Sequence, residues 1–336
     1  MRPWPTAPGT HGKLVTVSET PRPQFPRRRA LLALAASLSL ALVGCGSEAG
    51  LPDDDTRTEQ AVGLEVDPVR VTVQDAGAEP RANLEFRDVD NPAQETTATV
   101  ARGFAQSVAP AEKADPAAPA APESLDAPGL KATSLPLTAA TTEAAAEDNG
   151  TRRVQFRLGE TDDLPGAAGF EAGWTAEASG KVSTVRLAPP VDADDDTRAA
   201  AEDAVMGIAS LPVVFPADPV GPGASWTVDS RVTGQSTLLQ TTTYTLDNVD
   251  GDRVELSVAV QQRPAVGALD MSGVPDAPDG ELRVLHSTTS SRGSLSVDLT
   301  RPLPVAGTVA ATTRVTYGGD GDNRVMQDTT TALSLG

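Results

Sequence analysis

Few side chains in this 336-residue chain are suited to covalent or acid–base chemistry: it has one Cys and two His. A Ser-His-Asp hydrolase needs an imidazole base beside a nucleophile. Downstream of Cys45 the one imidazole is His286, in Leu285-His-Ser-Thr-Thr-Ser-Ser291, so His286 with a nearby serine is the form such a site would take. Strand alternation puts His286 on the face of Leu282 and Val284, which suits a satisfied or partly exposed strand histidine. Gly223-Ala-Ser225-Trp226 lacks the final glycine of a nucleophile elbow.

Oxygen-rich clusters are the other source of chemistry. Gly318-Gly-Asp-Gly-Asp-Asn323 has the look of one calcium-binding nonapeptide repeat. Such sites are stacks of repeats, and Asp and Gly are also what a tight hairpin uses. Asp88, Asp90 and Asn91 read as a turn before Pro92, and Asp192, Asp194, Asp195 and Asp196 as the start of a helix. No phosphate-binding glycine loop is present. No metal, cofactor or catalytic residue is assigned, and the chain reads as a non-enzyme. A carboxylate-dependent enzyme ranks below the two readings given at the end of this section.

Cys45 stands in a more telling context. Arg27-Arg-Arg29 precedes the apolar run Ala30–Val43, which as helix reaches about 21 Å. That is short of the about 30 Å hydrocarbon core, so the run reads as a targeting segment and not a span. Leu42-Val43-Gly44-Cys45, followed by Gly46-Ser47, resembles the bacterial lipobox. The resemblance implies cleavage after Gly44, a diacylglyceryl thioether on Cys45 and a protein lipid-anchored on the extracytoplasmic face of the membrane. Two or three acyl chains hold firmly where one holds weakly. The competing reading of a lone Cys is a buried thiol. The general secretory and twin-arginine routes both stay open, as do start sites at Val15 or Val17.

Removing residues 1–44 leaves 21 basic and 45 acidic residues, a net charge of about −24. Such a surface repels anionic headgroups and lacks the basic face that nucleic acid requires. One Cys excludes an internal disulfide framework. Arg outnumbers Lys heavily and Ile208 is the single Ile, a composition similar to that of high-GC actinobacterial proteins.

The elements that would position any site are strands. Residues 45–61 read as a flexible tether and 62–336 as one β-rich domain. Val69, Val71 and Val73 alternate with polar residues, and Asp75-Ala-Gly77 is expected to turn the chain back along Ala82, Leu84 and Phe86. Thr96–Val108 reads as extended. A Pro/Ala-rich insertion loop at 109–134 interrupts the pattern with Pro110, Pro116, Pro119, Pro122 and Pro128. Asp148-Asn-Gly150 is expected to join Leu137–Glu147 to Arg152–Leu158, and Ser179-Gly180 to join Trp174–Ala178 to Val182–Leu187. Asp250-Gly251 is the next turn, and Leu282–His286, Leu295–Leu299, Val309–Tyr317 and Val325–Leu335 extend the series. One short helix is expected at about 197–209, capped by Asp196 or Thr197. Ten to thirteen strands with one-sided alternation describe a mainly β fold, an antiparallel meander curled into an open or half barrel. Trp174 and Trp226 each open a strand, suited to core packing or to lining a ligand.

Pro219-Val-Gly-Pro-Gly-Ala-Ser-Trp226 carries a second resemblance, to a family of uncharacterised actinobacterial lipoproteins with a Pro-Val-x-x-Gly-x-x-Trp turn and strand. Its architecture is more distantly similar to lipoprotein and lipid carriers, half-barrels whose concave face holds acyl chains. The leading reading is a lipid-anchored β-protein that binds or carries an apolar or lipid ligand, and the alternative is a structural or protein-interaction lipoprotein of the cell envelope with a filled core.

Overall fold

A computed structural model describes residues 50–52, 55–145, 150–232, 237–270, 281–319 and 321–336. Two short strands, β1 (Val62–Glu65) and β2 (Arg70–Asp75), precede a first meander. Its strands are β3 (Gln94–Pro110), β4 (Lys131–Glu143), β5 (Arg152–Leu158), β6 (Glu171–Ala176) and β7 (Val182–Ala188). Helix α1 (Asp195–Ala209) leads to a second meander. That comprises β8 (Ser225–Val232), β9 (Leu238–Asp250), β10 (Arg253–Pro264), β11 (Ala268–Asp270), β12 (Glu281–Asp298), β13 (Ala306–Gly318) and β14 (Asn323–Leu335).

All strands form one antiparallel sheet in the order β1-β7-β6-β5-β4-β3-β14-β13-β12-β10-β9-β8-β2, with β11 paired to β12. The meanders join where β3 meets β14. Flat, thirteen strands at about 4.8 Å spacing would separate the two edges by about 58 Å. Yet β1 and β2 lie on opposite edges and are linked by only Val66–Val69, which spans at most about 18 Å. The sheet is therefore strongly curled, with its edges brought together but unpaired: an open barrel.

The concave face is filled in two halves. Over β3–β7 lies α1, presenting Ala201, Ala204, Val205 and Ile208 to Val100, Leu135, Phe156 and Leu187. Over β8–β13 lie irregular segments, with Leu84, Phe86, Val213–Phe215 and Val220 packed on Trp226, Tyr244, Leu256, Val258 and Val297. The second face is covered by the insertion. Pro110 ends β3, residues 111–113 form a 3-10 turn, and β4 starts at Lys131. Between them the chain crosses β14 and β13 to β12, where Pro116 O accepts from Thr288 Oγ1 (2.6 Å) and Ala121 packs on Ala101, Ala310 and Ala332. Central strand β13 is consequently buried on both faces over much of its length.

Three expectations need correction. The Asp75–Gly77 turn forms, with Gly77 N–H donating to Asp75 Oδ1 (2.8 Å), but β2 pairs with β8 and not with Ala82–Phe86. Those residues bury a side without a strand partner: Phe86 N donates to Ala178 O and Arg87 N to Leu299 O. The expected strands Leu282–His286 and Leu295–Leu299 are parts of one eighteen-residue strand. Its Ser/Thr middle has no apolar alternation because its side chains bond the neighbour: Ser291 Oγ accepts from Val260 N (2.8 Å) and Thr289 Oγ1 from Gln262 N (3.0 Å). The helix cap is Asp194, whose Oδ1 accepts from Thr197 N (2.8 Å), in place of Asp196 or Thr197. Residues 55–61, in the expected tether, run beside 189–191, with Thr58 bridged to Pro190. Residues 146–149 of the Asp148-Asn-Gly turn lie outside the described residues, though β4 and β5 pair as that turn implies.

Candidate functional site

The lipobox residues Leu42, Val43, Gly44 and Cys45 lie outside the described residues. Among the described residues no helix is long and apolar enough to cross a membrane.

His286 is exposed and sits at a bulge of β12, opposite Thr316. Among the described residues its imidazole has no hydrogen-bond or ion-pair partner, and the register puts it on the convex face. Among the described residues no serine or carboxylate bonds to it. The Gly318–Asn323 segment is the β13–β14 hairpin, with Asp320 outside the described residues. The Arg324 guanidinium donates to Gly321 O (2.8 Å) and Asn323 O (3.0 Å), so a fixed positive charge already occupies those carbonyls.

The Asp88–Asn91 cluster holds the molecule together. Asp88 is buried and accepts two bonds from the Arg152 guanidinium, both 2.6 Å, and one from Thr141 Oγ1. Arg152 also lies over the Phe86 ring, 4.1 Å from its centroid. Asn91 Nδ2 donates to Arg87 O and Thr300 O. A buried ion pair with its remaining groups bonded is structurally costly to break. This one fastens the irregular segment onto β5.

The motif ending at Trp226 has an equally plain structural task. Trp226 is fully buried; its ring stacks on Tyr244 at 5.7 Å and its Nε1–H donates to Val214 O (2.8 Å). Tyr244 O–H donates to Pro212 O (2.9 Å), and burial pushes that hydroxyl far above its usual pKa. Val220 bridges Ala82, and a Cβ on Gly221 would stand 1.8 Å from Ala78 O, which glycine alone tolerates. Trp174 packs edge-on to Phe156 at 5.7 Å.

Two concavities bear on ligand binding. Trp174, Arg152, Phe86, Leu211, Val309 and Leu335 line an apolar cavity of about 40 Å³ between the two halves. That is room for a few water-sized groups, whereas small-molecule sites measure about 300–1,000 Å³. An open groove of about 750 Å³ lies over the far ends of β8, β9, β10 and β12, lined by Arg70, Asp229, Gln240, Gln262, Ser287 and Thr289. Its polar groups already bond one another: Gln262 Nε2 donates to Gln240 Oε1 (2.8 Å) and Thr313 Oγ1 to Gln262 Oε1 (2.9 Å). Thr241 Oγ1 and Arg70 both donate to Asp229, holding its carboxyl below the usual range. Nothing in the sequence pattern marked this network, because Gln, Ser and Thr at strand positions read as solvent-facing.

No family model, curated protein or solved structure matches the chain.

Proposed function

We propose that this is a lipid-anchored extracytoplasmic protein, held to the membrane by covalent lipid on Cys45, whose β domain is a non-catalytic structural or interaction module. The observation that carries the second part is the cover on the concave face: α1 and residues 84–86 and 211–220 occupy most of the place where a carrier would hold acyl chains. The apolar cavity left between the halves is about 40 Å³, and the open groove of about 750 Å³ beyond them is lined mainly by polar side chains. The anchor rests on the lipobox residues alone. The exposed imidazole of His286, without a partner among the described residues, supports the non-catalytic reading.

All described elements lie within Gly46–Gly336, which forms a compact unit by itself. That segment, purified and taken through native mass spectrometry and solvent extraction, should carry no stoichiometric lipid. A bound lipid recovered in every preparation would replace this reading with the carrier one. In the full chain, Cys45→Ala should abolish lipid labelling and leave an unprocessed precursor; persistent labelling would overturn the anchor.

A further inference from the structure

The outer half of β3 is an open sheet edge. β3 pairs with β14 from Ala98 to Pro110, but with β4 only from Gln94 to Arg102. Which backbone groups are left over follows from the ladder. Ala111 N donates to Asp322 O (2.7 Å), and Thr97 and Gly336 exchange both of their bonds (3.1 and 3.2 Å). Antiparallel partners alternate, so odd-numbered residues of β3 bond to β14 and even-numbered ones face the other way. Up to Arg102 the even residues meet β4. Beyond it, the N–H and C=O groups of Phe104, Gln106 and Val108 face no strand among the described residues. Phe104 and Val108 are 64% and 60% exposed and share the concave side.

This edge differs from the two ends of the sheet. β1 has four residues and carries Glu65; β2 carries Arg70 and Asp75 and has an irregularity before Asp75. Short, charged or bulged edges resist pairing. From Gly103 to Ala111 there is no charge at all, in a chain whose mature part is strongly acidic. Arg102, paired with Asp203, and Lys131 stand at the inner end of this stretch, and Glu112 and Lys113, of opposite charge, follow its outer end. Two copies of the protein can meet here without opposing carboxylates.

We infer that a second copy of this chain pairs along Phe104–Val108, making a two-fold dimer with one continuous sheet. A two-fold axis at Gln106 places Gln106 against its own counterpart and Phe104 against Val108 of the other copy. Every pair formed then uses outward-facing groups, giving six backbone hydrogen bonds. Pro110, which has no N–H, ends the site. Phe104 beside Val108 adds an aromatic–β-branched cross-strand contact at each end. The interface is smaller than that of a standard stable complex, so association is reversible and concentration-dependent. This inference stands apart from both the lipid anchor and the contents of the interior.

The register gives a sharp test. Hydrogen-bonded antiparallel partners have Cα atoms about 5.5 Å apart, within disulfide reach. Residues 46–336 contain no Cys, so single thiols can be placed cleanly. Under mild oxidation Gln106→Cys should form a covalent dimer at least tenfold faster than Ser107→Cys, which points to the other face and lies off the axis. An equimolar mixture of Phe104→Cys and Val108→Cys should cross-link faster than either alone. In sedimentation equilibrium the unmodified segment should show a reversible monomer–dimer equilibrium, and Val108→Lys should be monomeric with an unchanged circular-dichroism spectrum. Equal linking rates for Gln106→Cys and Ser107→Cys, or a segment that stays monomeric at the highest attainable concentration, would overturn the inference.

Discussion

The two halves of the curled sheet solve the same problem by different means. Each has an apolar concave face that must be covered. Over β3–β7 the cover is α1, whose backbone groups bond within the helix, so small side chains such as Ala201, Ala204 and Val205 suffice. Over β8–β13 the cover is irregular chain, whose carbonyls would be orphaned on burial. There the sheet supplies polar handles on large rings: Trp226 bonds Val214 O and Tyr244 bonds Pro212 O, while Gln240 Nε2 reaches Ser210 O (3.2 Å). The difference teaches why Trp226 and Tyr244, rings with a polar tip, stand under the irregular cover, while the helical half buries Phe156 and Phe170. A helix needs only a surface to lie on, while a loop buried in a core needs donors.

The contrast can be broken most severely at the point that ties the halves together. Asp88→Ala leaves the Arg152 guanidinium buried without its carboxylate, which should cost about 3–5 kcal/mol. Urea denaturation would measure it, and Asp88→Ala with Arg152→Met should recover most of the loss. Equal losses in the single and double variants would show that packing, not the unpaired charge, sets the cost.

A sharper comparison sets Tyr244→Phe against Ile208→Val. The first removes one oxygen but orphans Pro212 O, for about 1–3 kcal/mol. The second removes one methylene from the helical cover, for about 0.5–1.5 kcal/mol. The larger effect should fall on the irregular side in thermal or urea unfolding. Titration adds a sign. Burial raises the pKa of Tyr244 in the folded state, so above pH about 10 the unfolded chain ionises while the folded one stays neutral. Stability should therefore fall as pH rises through that region, and less steeply in Tyr244→Phe. Tyr317, also raised by burial, keeps part of the slope.

The smallest effect belongs to the helix cap. The Thr197 N–H bonds Asp194 and holds its carboxyl below the usual range. Its contribution is present at neutral pH and is lost as pH falls through the folded-state value. Asp194→Ala should lower Tm only slightly at pH 7, and the difference from wild type should shrink in acid. A large loss at neutral pH would mean that α1 depends on its cap more than on its packing.

Much of the fold was legible in local pattern. Alternation at Val254, Leu256, Val258 and Val260 marks a strand with one buried side, and Ala201, Val205 and Ile208 mark a helix, because both periods are written over a few residues. The β-rich class, the hairpins joining β6 to β7 and β9 to β10, and the open curl were accessible on that basis. Polar content misled it. Ser287–Ser294 looked like a break in β12, though those side chains bond β10 in place of backbone. Asp88 looked like a turn residue because its partner Arg152 is 64 positions away.

By itself the sequence determined the strands, the helix, the acidic surface and the isolation of Cys45 behind an apolar run, since each depends on neighbouring residues. Only the tertiary structure decided that β3 meets β14, that β1 and β2 lie on opposite edges, and that the outer half of β3 has, among the described residues, a strand on one side alone. Pairing order depends on which distant segments share a face and a register. A period of two specifies the face of a strand, but not the strand beside it.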